Sequence, residues 1–231
     1  MTRSRGIVVF AILSASLTLP ALAAGGSRQP PPPQPAPGAE QPALTPEQQA
    51  DLYYNEGLDW RDKGWKFDRK AGAADDDKKR SKYQGKAIKQ FEKAIGSFTE
   101  ALRLNPGFYQ AHSGLGYALR RCGRLEESLA AYDRALALNG AYSEAIEYRA
   151  EAYLGLDRLE EAKQAYIDLF AGDPPRAGEL LQAMQAWIAR RQAEPGKVDA
   201  ATVNEFSAWV DKRLEIAAQT DSLSQLETRD W

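Results

Sequence analysis

A seventeen-residue phrase occurs twice in this chain at a fixed distance. GRLEESLAAYDRALALN spans Gly123–Asn139, and DRLEEAKQAYIDLFAGD spans Asp157–Asp173, 34 residues later. A period of this size marks a supersecondary unit whose apolar face is buried only when units stack. The turn signals keep the same step: Asn105-Pro106, Asn139-Gly140 and Asp173-Pro174 follow one another at intervals of 34. Proline lacks the amide donor and glycine takes positive φ readily, so each pair stops a helix. Between the stops the apolar spacing predicts two helices per unit. In the middle unit they run Phe108–Cys122 and Leu125–Leu138, broken at Gly123. In the next they run Ser143–Leu156 and Leu159–Phe170, broken at Asp157.

The unit ending at Pro106 is less regular. Its second helix carries Ala87, Ile88, Phe91, Ala94, Ile95, Phe98, Ala101 and Leu102 on one stripe. Its partner is expected over about Pro46–Lys63, ended by Gly64. That leaves an insertion over 65–88 in which 11 of the 17 residues from Lys66 to Lys82 are charged, seven positive and four negative. Asp75-Asp76-Asp77 suits a helix start, where carboxylates meet free N–H groups and the positive end of the dipole. The insertion therefore reads as a short loop plus a two- or three-turn N-terminal extension of the second helix, with Trp65 and Phe67 packed at its edge.

With period, chemistry and register in agreement, Leu52–Pro174 resembles the tetratricopeptide repeat family. The small residue of the first helix corresponds to Gly57, Gly116 and Ala150, and that opening the second helix to Ala94, Ser128 and Ala162. The large aromatic corresponds to Phe98, Tyr132 and Tyr166, the later small residue to Ala101 and Ala135, and the closing proline to Pro106 and Pro174. Departures are Leu169 at the late small position, Gly140 for the closing proline and Arg149 for an apolar residue. The resemblance implies an all-α, right-handed solenoid of three hairpins (47–106, 107–140 and 141–174) whose first helices line a concave groove. The groove set implied by register is Tyr54, Asn55, Leu58 and Arg61, then Gln110, Ser113, Tyr117, Arg120 and Arg121, then Glu144, Glu147, Tyr148, Glu151 and Leu154. Tyrosines there would give rigid contact area, and the change of sign along the groove would orient a bound segment. The carboxylate clamp of the family's chaperone-tail binders is missing, because Tyr54, Leu58, Gly114, Glu144 and Tyr148 hold its places.

Past Pro174 two helices without the repeat signature are expected, Ala177–Gln192 and Ala200–Gln219, joined at Glu194-Pro195-Gly196. They would form a capping pair over 175–219 that covers the open end of the stack, with 220–231 a loose tail.

The N-terminal residues bear on location. Arg3 and Arg5 precede the apolar run Ile7–Leu19 and the small-x-small site Ala21-Leu22-Ala23, the pattern of a secretory signal peptide over 1–23. The run is short for a membrane-spanning helix. Residues 24–46 are a proline-rich spacer, with eight of the 13 prolines between Pro30 and Pro46. The expected location is periplasmic or secreted, with cleavage after Ala23.

The chemistry of sites is sparse. Without Arg3 and Arg5 the chain keeps 28 basic and 32 acidic residues, a balance that gives no reason to expect nucleic acid. One cysteine, Cys122, excludes an internal disulfide, and it reads as a spare thiol. One histidine, His112, reads as a packed residue, so no nucleophile–base pair of the usual kind is available. Asp75–Asp77 lacks the spacing of a calcium loop, and no phosphate-cradling glycine loop is present. No catalytic residue, cofactor or metal is expected. The expected function is a protein–protein adaptor in the bacterial periplasm that holds an extended or helical partner segment. The alternative is an envelope factor that touches anionic lipid or peptidoglycan through Lys66, Arg69, Lys70, Lys78, Lys79, Arg80 and Lys82.

Overall fold

Residues 43–194 and 196–227 are described by a computed structural model. The signal-peptide reading, the proline-rich spacer up to Pro42 and the end of the tail lie outside the described residues. The described part consists of eight helices: α1 (Pro46–Gly72), α2 (Asp77–Leu104), α3 (Tyr109–Arg121), α4 (Leu125–Leu138), α5 (Ser143–Gly155), α6 (Leu159–Gly172), α7 (Pro174–Ala193) and α8 (Ala200–Glu227). They pair in sequence as antiparallel hairpins, and each hairpin packs on the next. The all-helical stacked fold expected from the 34-residue period is the fold observed.

The two kinds of helix differ in their neighbours. The first helices of successive hairpins touch one another, α1 with α3, α3 with α5 and α5 with α7. The second helices pack on the first helices but make no comparable contact with each other. Such a stack is tighter on the side of the odd-numbered helices, which makes that side the inner, concave one.

Local chemistry explains the hairpins. Gly57, Ala94, Phe98, Ala101, Gly116, Ser128, Tyr132, Ala135, Ala150, Ala162 and Tyr166 are all buried, while Pro106 lies exposed in a turn and Pro174 exposed at the first position of α7. The turn within each of the two regular hairpins needs a left-handed residue, supplied by Gly123 (φ 78°) and, 34 positions later, Asp157 (φ 59°). Pro174 does more than stop α6. It opens α7 at once, and Asp173 caps that helix by accepting from the Arg176 amide at 3.2 Å. Leu169 is buried among α7 and α8 residues, which accounts for a large side chain where the repeat has a small one.

The first hairpin departs from the sequence reading. Gly64 does not end α1. It is buried beneath Phe91, and a Cβ there would stand 2.6 Å from the ring. This glycine is a point of close helix approach, not a terminator, and α1 runs two further turns to Gly72. Ala50, Gly57, Gly64 and Ala71, all buried, repeat every seven residues and form the track along which α2 lies. Only four residues, Ala73–Asp76, connect the two helices, and Asp76 caps α2 through the Lys79 amide at 2.7 Å. The insertion therefore lengthens both helices into a projecting arm. Trp65, expected to pack, is 46% exposed, and Phe67 is half-buried.

The C-terminal pair is also more than a lid. α7 packs against α5 and α6 as a fourth inner helix, and α8 packs on α7. Asp199 caps α8, accepting from the Thr202 amide at 2.9 Å, and the helix continues to Glu227, eight residues past the expected end. No described helix is long and apolar enough to cross a membrane.

Candidate partner groove

The inner face begins with aromatic steps between neighbouring odd-numbered helices. Tyr54 of α1 meets Phe108 at the start of α3, with ring centroids 4.7 Å apart. Tyr109 of α3 meets Tyr142, which precedes α5, at 5.0 Å, and Tyr117 meets Tyr148 at 5.1 Å. Offset or edge-on aromatic pairs of this kind add about 0.5–1.5 kcal/mol each beyond area burial. Burial raises the hydroxyls of Tyr54, Tyr117, Tyr142 and Tyr148 above the usual phenol range, with Glu144 acting in the same sense on Tyr54, Tyr142 and Tyr148. They remain neutral hydrogen-bonding groups at neutral pH.

Charge on this face is organised across the helix seams. Arg121 of α3 pairs with Asp68 of α1, Arg120 of α3 with Glu151 of α5, and Arg176 of α7 with both Glu147 and Glu144 of α5. Each seam between inner helices thus holds an arginine–carboxylate bridge. Arg120 also lies over the rings of Tyr117 and Tyr148, 5.3 and 5.5 Å from their centroids. Glu147 is the most deeply placed of these acids, and burial, aided by Glu179 and Glu151, pushes its carboxyl up to about 7 against the opposing pull of Arg176.

Part of the sequence-derived groove set needs correction. Ser113, Tyr117 and Glu147 are buried and face no solvent groove, and Leu154 is buried to the floor of a small cleft at the α7 end. α5 closes over α3, and α7 closes over α5, which removes these positions from the surface. The expected change of sign is also absent as a free field, because Arg120, Arg121, Glu144 and Glu151 are spent on seam bridges. Asn55 is exposed, and Tyr54, Leu58, Arg61, Gln110, Glu144 and Tyr148 are half-buried along the inner helices.

Sequence reasoning missed Tyr109, Tyr142 and Arg176. A signal was available: Phe108, Tyr142 and Arg176 follow one another at the 34-residue step. Where α7 joins the inner side, a cleft of about 470 Å³ opens between α3, α5 and α7. Leu125, Leu154 and Trp187 give it an apolar floor, and Arg120, Arg190 and Glu151 edge it. His112 sits apart from the face's aromatic steps, its Nε2 3.0 Å from the Pro106 carbonyl. The Cys122 thiol is half-buried, and burial raises it from the usual thiol range, opposed by Arg124 and Arg121. Among the described residues no cluster of three or more His, Cys, Asp or Glu side chains could hold a metal ion.

A sequence model of the tetratricopeptide repeat family matches residues 88–145. That stretch is similar to the tetratricopeptide repeat. It runs from α2 into α5 and is shorter than the Leu52–Pro174 span over which the sequence resembles the repeat. Solved structures similar to the chain at low identity include three. The first tetratricopeptide domain of Spaghetti (RPAP3), bound to an HSP90 peptide, is 24% identical with a TM-score of 0.40, over 58% of this chain and 94% of its own. MamA protein is 19% identical with a TM-score of 0.46, over 79% and 97%. A tetratricopeptide repeat protein from Parabacteroides merdae is 21% identical with a TM-score of 0.43, over 80% and 69%. No curated protein sequence matches the chain.

Proposed function

We propose that this chain is a non-enzymatic adaptor of the bacterial periplasm that holds a segment of another protein against its inner face. The carrying observation is the inner surface itself: four helices in contact, stepped with tyrosines and fixed by three arginine–carboxylate seams. Tyrosine offers large rigid contact area at low entropy cost. Seam bridges hold those rings in place before a partner arrives, which lowers the cost of binding. Tetratricopeptide domains seen with HSP90 and Hsp70 peptides support a peptide-holding role for the fold. The periplasmic location rests on the signal-like residues 1–23.

The test uses the exported chain as bait in extracts of the native envelope. Asn55→Trp with Gln110→Trp fills the inner face without touching a seam and is expected to weaken partner capture at least tenfold. Ala130→Trp, on the exposed side of α4, is expected to leave capture unchanged. Equal capture by all three proteins would remove the groove reading.

A further inference from the structure

The first hairpin has one flank that nothing described covers. α3 packs on the side bearing Tyr54, Asp68, Phe91 and Phe98. The opposite flank carries Trp60 and Phe67 of α1, two helical turns and about 10 Å apart. Each ring lies under two lysines, one from each helix. Lys63 and Lys93 stand 3.8 and 4.2 Å from the Trp60 centroid, and Lys70 and Lys86 stand 5.7 and 5.5 Å from that of Phe67. None of these four lysines has an ion-pair partner among the described residues. The acid beside them, Glu56, is engaged by Trp60 Nε1 at 3.3 Å and by the Ser97 hydroxyl at 3.1 Å.

The wider charge distribution points the same way. Residues 63–93 hold 11 basic and 5 acidic side chains, while the rest of the chain holds 19 basic and 27 acidic. A positive arm therefore projects from a negative body. Within the arm, Lys79 and Arg80 are engaged by Asp75, Asp76 and Asp77, whereas the four lysines over the two rings are not.

We infer that this flank is a docking face for an anionic phospholipid surface. It goes beyond the groove reading and does not depend on it, since the face lies on the side of α1 away from α3. Three features favour a lipid surface over an acidic protein. Two helices side by side present a flat strip, whereas a peptide is gripped by a groove. The cations over these two rings are lysines, point charges on flexible stems that suit mobile phosphate headgroups, while arginines make the seam bridges of the inner face. Aromatic rings between lysine stems match side chains at a membrane–water interface, with the ring in the boundary and the ammonium in the headgroups.

The experiment measures binding of the full chain to vesicles of phosphatidylcholine alone and of phosphatidylcholine with phosphatidylglycerol. Two triple variants are compared with the unaltered chain: Lys70→Glu/Lys86→Glu/Lys93→Glu on the face, and Arg134→Glu/Lys197→Glu/Lys212→Glu elsewhere. Their helix content is checked by circular dichroism. The face variant is expected to lose roughly a hundredfold in affinity for the anionic vesicles, from the contribution of each lysine near a charged surface. The control triple, with the same net charge, is expected to bind like the unaltered chain. The preference for anionic vesicles is expected to fade at high salt. Equal binding by the two triples, or no preference for the anionic vesicles, overturns the proposal. Salt-sensitive retention on polyglutamate with none on vesicles also overturns it, in favour of an acidic protein. The double tryptophan variant of the inner face should bind vesicles normally, which separates the two surfaces.

Discussion

Asp157 is where the last regular hairpin is fastened to the C-terminal pair. Its Oδ1 accepts from Trp187 Nε1 and from Arg191 Nε, each at 3.0 Å, and from a second Arg191 nitrogen. Arg191 is only 7% exposed, so loss of the carboxylate strands a buried guanidinium. Removing one member of a buried pair costs about 3–5 kcal/mol, and the 26% exposure of the Asp157 side chain places this case at the low end. The residue also sits at φ 59°, where alanine is strained by about 1–2 kcal/mol and glycine is not. Asp157→Ala is therefore expected to destabilise by about 4 kcal/mol, Asp157→Gly by about 3, and Asp157→Asn, which keeps an acceptor and tolerates positive φ, by about 1. Urea unfolding followed by circular dichroism reads these differences as midpoint shifts, about 2 M for alanine at a slope of about 2 kcal/mol/M. An alanine variant within about 0.5 kcal/mol of the unaltered protein, or a glycine variant less stable than the alanine variant, would refute the reasoning, being smaller or reversed against the costs used here.

Three further outcomes are expected. Gly64→Ala should lower stability by about 1–3 kcal/mol because its Cβ meets the Phe91 ring at 2.6 Å, whereas Gly85→Ala, with nothing within 4 Å, should raise it by about 0.5–1, both read by urea unfolding. Glu147 carries a carboxyl raised to about 7 in the fold, from an ordinary value of 4.5 in the unfolded chain. Between those values the fold holds the extra proton, so stability should fall by on the order of 2 kcal/mol as pH rises from about 4.5 to 7 and then level off. Glu147→Gln should flatten that slope in unfolding curves taken across the range. N-terminal sequencing of protein from the periplasmic fraction should begin at Ala24, and a product that keeps Met1–Ala23 would contradict cleavage.

The regular part of this fold was legible because its signals are local. Leu125–Leu138 is bounded by a left-handed glycine and an Asn-Gly pair, and the observed α4 has those ends. The arm was misread because a glycine carries two meanings that local sequence does not separate. Gly64 looks like a stop, but its missing Cβ makes room for Phe91, 27 positions away. A seven-residue count over Ala50, Gly57, Gly64 and Ala71 distinguishes the two readings. The site was legible in its helices but not in its exposure. Register put Glu147 and Leu154 on the groove side of α5, yet α7 covers them, and α7 has no repeat signature to announce an inner helix. Likewise, Arg120 and Arg121 read as free charge because Glu151 and Asp68 are 31 and 53 residues distant in the chain.

The central claim is that a partner lies along the odd-numbered helices. Photo-crosslinking side chains placed one at a time at Asn55 and Gln110 on the inner face, and at Ala130 and Gln164 on the exposed sides of α4 and α6, test it in cells that make the full chain. The account predicts a discrete adduct from Asn55 and from Gln110, the same partner in both, and none from the outer pair. Adducts from Ala130 and Gln164 with none from Asn55 and Gln110 would contradict it.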